Sequence, residues 1–192
     1  MECRTVIKER RSIRMYEQKP IDQQTLEQIL DAALMAPSAI NLQPWYFVVI
    51  QSEKAMKELK LIMSQASLKL RPNLEKRFSK HPEVVEETCK FVNQLGGAPV
   101  CVLAFQLKPD YDKTAASIIQ SVAAAIDNML LAAWDLGVGS CWLTAPIEAG
   151  VDQAIKEAFA PDKGDMVAMI TLGYPARIPN EIKRKENRHI IL

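Results

Sequence analysis

Arg10, Ser12 and Arg14 stand two residues apart in the run Arg10-Arg11-Ser12-Ile13-Arg14. On an extended backbone that spacing aims all three side chains to one side. Two guanidiniums and a hydroxyl converging there suit a phosphate dianion, held by charge-assisted and potentially bidentate hydrogen bonds. A second stretch, Ala36-Pro37-Ser38-Ala39-Ile40-Asn41-Leu42-Gln43-Pro44-Trp45, ends a helical pattern at a proline and runs as a polar loop into an apolar strand. Taken singly, each has a plain reading. Arg10-Arg11 is then a charge cluster favoured by the end of a helix dipole, and Asn41–Pro44 a turn.

Elsewhere the familiar catalytic constellations are missing. Cys3, Cys89, Cys101 and Cys141 are far apart and the only histidines are His81 and His189, which excludes zinc spacings and a disulfide framework. There is no His-Glu-x-x-His, no phosphate-binding Gly-x-x-x-x-Gly-Lys, and no Gly-x-Ser-x-Gly. Gly137-Val138-Gly139 begins like a dinucleotide fingerprint, but Trp142 fills the third glycine position and the run leads from helix to strand, the wrong order. That absence fits a reaction in which a bound cofactor does the difficult work.

The positioning elements follow from periodicity. A helix is expected at 2–10, and Asp22 caps another whose Leu26, Ile29, Leu30, Ala33 and Leu34 recur at helical spacing. A strand at 45–51, a helix from 53 to about 70, a polar connection at 72–82 and a helix at 83–95 come next. A strand at 100–107 and a loop at 109–113 precede an alanine-rich helix at 114–136, capped by Thr114 and stopped by Gly137. Strands at 138–143 and 166–173 flank a helix at 149–159, and 189–192 reads as a short fifth strand. The 192 residues, 48% hydrophobic and 24% charged, suit one domain with a helix-covered sheet.

Net charge is +1, which predicts no attraction to nucleic acid or anionic membrane. Its distribution is uneven: residues 1–20 and 177–192 each carry +3, leaving −5 between them. Uninterrupted apolar runs such as 99–105 are too short to cross a bilayer. No apolar stretch follows Met1, so a cytoplasmic protein is expected.

Four segments, in order, resemble the FMN-dependent nitroreductase family: Arg10-Arg11-Ser12-Ile13-Arg14, the Pro37–Trp45 loop, Leu136-Gly137-Val138-Gly139-Ser140-Cys141-Trp142-Leu143, and Gly173-Tyr174-Pro175 followed by Lys183-Arg184-Lys185. The resemblance implies an α+β fold with a central mixed sheet of four to five strands and an intertwined homodimer binding FMN at its interface. It assigns Arg10, Ser12 and Arg14 to the FMN phosphate and ribityl chain, with Arg11 close by. Pro37, Ser38, Ala39 and Asn41 would come from the other subunit. Trp142, Leu143 and Thr144 would lie against the isoalloxazine ring, where a backbone N–H reaches its reactive nitrogen. Arg184, or next Lys183, would close on the phosphate. Ala39 departs from the polar residue many members carry, and residues 52–98 show no alignable motif.

The implied activity is transfer of hydride from NAD(P)H through FMN to a small acceptor such as a nitroaromatic or quinone. The alternative from another class is a flavin-binding carrier or redox-responsive interaction protein without turnover.

Overall fold

Strand β2 (Val100–Gln106) explains the layering, because both of its faces are buried. Val100, Val102 and Ala104 point into one apolar layer, while Cys101, Leu103 and Phe105 point into another. In a computed structural model that describes residues 1–107 and 115–192, β2 lies inside a sheet with β1 (Trp45–Ile50), β3 (Gly139–Leu143) and β4 (Met166–Gly173), in the order β1-β2-β4-β3. Each neighbouring pair is antiparallel, so the expected mixed character shrinks to one parallel bridge, Ser12 to Ser140. No fifth strand forms at 189–192, which is exposed coil.

Helices α2 (Gln23–Leu34) and α5 (Ala115–Asp135) cover the first face. The Asp22 carboxylate accepts from Thr25 N–H at 2.9 Å, and Leu26, Ile29 and Ala33 turn inward. By length and composition α5 alone among the described helices could cross a bilayer. Here Ile118, Val122, Ala125, Ile126, Met129 and Ala133 are buried in the fold, giving that stripe a protein partner. The Thr114 cap and the 109–113 loop lie outside the described residues.

The second face is covered by α3 (Glu53–Arg77), α4 (Pro82–Gln94) and α7 (Asp152–Phe159). The expected stop near residue 70 is not observed, since α3 runs on through Pro72 to Arg77. Pro72 is exposed, and so is Leu68, whose carbonyl loses its helical donor and is left to water. Arg71 fixes the extra turns by a two-pronged pair with Glu86 of α4. The expected helix at 149–159 starts later, as α7 at Asp152, after a turn at Gly150 (φ +61°), and a short α6 (Ala145–Glu148) precedes that turn. The N-terminal α1 spans Cys3–Glu9.

Candidate functional site

After α1 the chain turns extended at Arg10 and crosses one end of the sheet as a strap, residues 10–18. Ile13 N–H donates to the Ser140 carbonyl at 2.8 Å, Tyr16 N–H to Gly96 at 3.1 Å, and Glu17 N–H to Tyr174 at 2.9 Å. Three glycines make room for it. A Cβ on Gly139 would stand 2.6 Å from Ile13, one on Gly96 2.4 Å from the Arg14 carbonyl, and one on Gly173 2.9 Å from the Tyr16 ring. Ile13 is fully buried, so Ser12 and Arg14 on either side of it turn outward, as the spacing predicts.

Arg14 and Arg10 both act electrostatically on Cys141 of β3. Burial pushes the Cys141 thiol above its ordinary range, and both guanidiniums, Arg14 more than Arg10, pull it back down. Neither makes an ion pair or hydrogen bond among the described residues; Arg14 lies over the Phe91 ring, 5.9 Å from its centre. Arg11 behaves differently. It donates back to the Lys8 and Arg10 carbonyls at 2.7 and 3.0 Å, closing the end of α1. Two uncompensated guanidiniums and a half-buried serine fit a phosphate dianion, and no metal-ligand cluster competes among the described residues.

Strand β3 is the sheet edge on this side. Because the Ser140 carbonyl faces the strap, the backbone of Trp142, two residues on, faces the same open edge. Leu143 is buried in the second layer. Thr144 is exposed and donates to the Glu148 carboxylate at 2.5 Å at the start of α6.

The remaining candidates lie elsewhere. The Pro37–Asn41 loop precedes β1 at Trp45, whereas the strap lies at the other end of that strand, roughly 20 Å away. The loop is strained: Ile40, Asn41 and Gln43 have φ of +48°, +58° and +48°. Ser38 Oγ accepts from Gln43 N–H at 2.9 Å, Asn41 Oδ1 from Gln43 Nε2 at 3.0 Å, and Ala39 N–H donates to Ser121 Oγ at 3.1 Å. Lys183 and Arg184 sit on an exposed arm, residues 177–192, that leaves the body after Ala176 N–H bonds Met15. A cleft of about 370 Å³ opens at the strap's far end, by Gln18, Lys57, Lys60 and Gly97, away from Arg10.

A family model described as the nitroreductase family matches residues 7–174. The chain belongs to the nitroreductase family. It is 30% identical over 175 residues, 91% of this chain and 86% of the other, to an Archaeoglobus fulgidus protein provisionally named NADH dehydrogenase/NAD(P)H nitroreductase. It is 25% identical over 177 residues, 88% of this chain and 86% of the other, to an iodotyrosine deiodinase of Thermotoga neapolitana. The crystal structure of a Bacteroides fragilis nitroreductase with bound FMN matches it with a TM-score of 0.75 and 26% identity, covering 100% of this chain and 99% of that one.

Within this nitroreductase-family chain, sequence reasoning missed Tyr16, Gln43, Ser121 and the glycine floor under the strap. Gly96-Gly97 reads locally as a helix stop, and nothing local says that Arg14 lies across it. The Tyr16 aromatic, two residues beyond Arg14 and just before the polar Glu17-Gln18-Lys19, is the one local signal.

Proposed function

We propose that this chain is an FMN-dependent oxidoreductase that passes hydride from NAD(P)H to a small acceptor such as a nitroaromatic or quinone, working as a homodimer. The observation that carries the reading is the strap bearing Arg10, Ser12 and Arg14, bridged to Ser140 at the open edge of β3, with neither guanidinium in an ion pair among the described residues. Arg10, Ser12 and Arg14 bind the phosphate, and Arg11 braces the helix end that presents them. Trp142 offers its edge backbone N–H to the ring, with Leu143 packed behind as support. FMN held there would supply the two-electron, hydride-level chemistry.

The dimer is supported by what one chain leaves stranded. The strained loop, Pro37 to Asn41, is remote from its own strap, and the arm exposes Ile178, Ile182, Ile190 and Ile191. A second copy brings the loop to the strap and covers the arm, whose Arg184, or next to it Lys183, adds positive charge at the phosphate. Such an interface is expected to bury above roughly 2,000 Å² in total. A monomeric mass by sedimentation at low micromolar concentration, with flavin bound, removes the dimer.

The deciding experiment is a visible spectrum of the purified protein followed by NADH and NADPH oxidation with a nitroaromatic acceptor. A flavin spectrum with turnover is expected. Absence of flavin overturns the reading, and flavin without turnover points to a carrier.

A further inference from the structure

Tyr16 is the most buried polar group of the strap, and the chemistry above leaves it unused. Its ring is 5% exposed and lies on Gly173, where a Cβ would come within 2.9 Å. The hydroxyl is 2.7 Å from the Ile13 carbonyl and 2.7 Å from Thr171 Oγ1. A phenol has one proton, and of the two carbonyls in reach Ile13 at 2.7 Å is nearer than Thr171 at 3.3 Å, so Tyr16 donates to Ile13 and accepts from Thr171 Oγ1. Burial pushes the phenol well above its ordinary pKa, outweighing the Thr171 bond, so the donor keeps its proton at neutral pH.

Those two bonds do different things. The first closes the turn from Ile13 to Tyr16, with Arg14 inside it. The second ties that turn to β4 near its C-terminal end, where Thr171 is paired with Cys101 on one side and Cys141 on the other. Cys141 is the residue that feels both Arg14 and Arg10. The lock therefore joins the backbone carrying Arg14 to β4, beside β3, whose Ser140 carbonyl accepts from Ile13 N–H of the same turn.

We propose that Tyr16 is a positioning residue: its hydroxyl, seated on Thr171, holds the strap so that Arg14 and Arg10 converge on a ligand's phosphate. This rests on the reading that the strap binds the FMN phosphate. Pre-organisation of this kind raises affinity by removing the cost of ordering the binding groups at the moment of binding.

Riboflavin, which lacks the phosphate, separates the lock from general folding. The full-length protein, freed of flavin, is titrated with FMN and with riboflavin by quenching of flavin fluorescence. Wild type is expected to prefer FMN. Tyr16→Phe keeps the ring on Gly173 and is expected to weaken FMN by about five- to tenfold while riboflavin shifts less than about twofold, the size of one buried neutral hydrogen bond. Thr171→Val removes the same contact from the other side and is expected to act in the same direction, so either variant decides if the other precipitates. The pair Tyr16→Phe with Thr171→Val is expected to be no worse than Tyr16→Phe alone, because the two act as one unit. Equal weakening of both flavins, or an unchanged FMN-to-riboflavin ratio, overturns the proposal. A wild type that binds both flavins equally overturns the phosphate reading itself.

Discussion

The two ends of this chain carry the same charge, +3 in residues 1–20 and +3 in residues 177–192, yet they are built in opposite ways. The strap is extended, hydrogen-bonded to Ser140, Gly96 and Tyr174, and laid on a floor of glycines. The arm is exposed throughout from Arg177, with apolar Ile178, Ile182, Ile190 and Ile191 left in water. Equal charge thus accompanies unequal organisation. The strap pays its ordering cost on folding, whereas the arm has to pay on meeting a second surface. In the proposed enzyme, the strap should supply most of the phosphate affinity and the arm a smaller, salt-sensitive share.

The largest expected effect breaks the strap. Arg10→Ala and Arg14→Ala are each expected to weaken FMN binding by about 1.5–3 kcal/mol, the scale of a charged hydrogen bond in a partly buried site. Combined, they are expected to release flavin on dialysis. If both variants keep wild-type affinity in a fluorescence titration, the strap is not the phosphate site and the contrast with the arm collapses.

Next comes the floor. Gly96→Ala places a Cβ 2.4 Å from the Arg14 carbonyl at a φ of +64°. The clash is with backbone, so it is not relieved by turning a side chain. We expect a loss of about 1–3 kcal/mol in urea unfolding, with weakened FMN binding. Gly137→Ala is the control, because its Cβ meets nothing within 4 Å at a similar φ of +75°. Equal losses in the two variants assign the cost to φ strain alone.

These residues also mark how far the sequence was legible. Apolar spacing at Leu26, Ile29 and Ala33, and the apolar runs that became β1 to β4, are local signals, and they placed most elements. The outward turn of Ser12 and Arg14 on either side of buried Ile13 is local too. Pro72 misled because a proline on a solvent face of a long helix costs little when α4 and the Arg71–Glu86 pair hold the following turns. Strand order, the Tyr16–Thr171 contact and the fit of Gly139 under Ile13 join residues about a hundred or more positions apart in places, and no window of sequence contains them. Nor did the sequence separate Arg11, a helix cap, from its neighbours Arg10 and Arg14. The acceptor is equally illegible, as relatives bearing nitroreductase and deiodinase names share this scaffold.

A smaller effect is expected from the arm. Lys183→Gln and Arg184→Gln together are expected to weaken FMN by about two- to fivefold, the modest worth of exposed charges. The loss should shrink in high salt, where exposed charges are screened. A loss as large as that of Arg14→Ala, insensitive to salt, would make the arm a buried phosphate ligand and reverse the ranking of the two ends.

The smallest effects test chemistry, with one nucleophile beside the strap and one base from the arm. Arg14 and Arg10 both pull the Cys141 pKa down, an influence that in an exposed cysteine would favour a thiolate. Burial outweighs that pull and leaves its pKa raised. A group whose folded pKa is raised stays protonated below its ordinary value, so Cys141 remains a thiol near neutrality and supplies no nucleophile. His189 is exposed on the arm. Cys141→Ser and His189→Ala are each expected to slow flavin reduction by less than about tenfold, or about 1.4 kcal/mol of barrier. Stopped-flow reduction by NADH or NADPH, followed by loss of visible absorbance between about pH 6 and about pH 8, should show no step that either variant removes. A thousandfold loss in Cys141→Ser with flavin content intact would mean that the strap's guanidiniums activate a thiol as well as bind an anion.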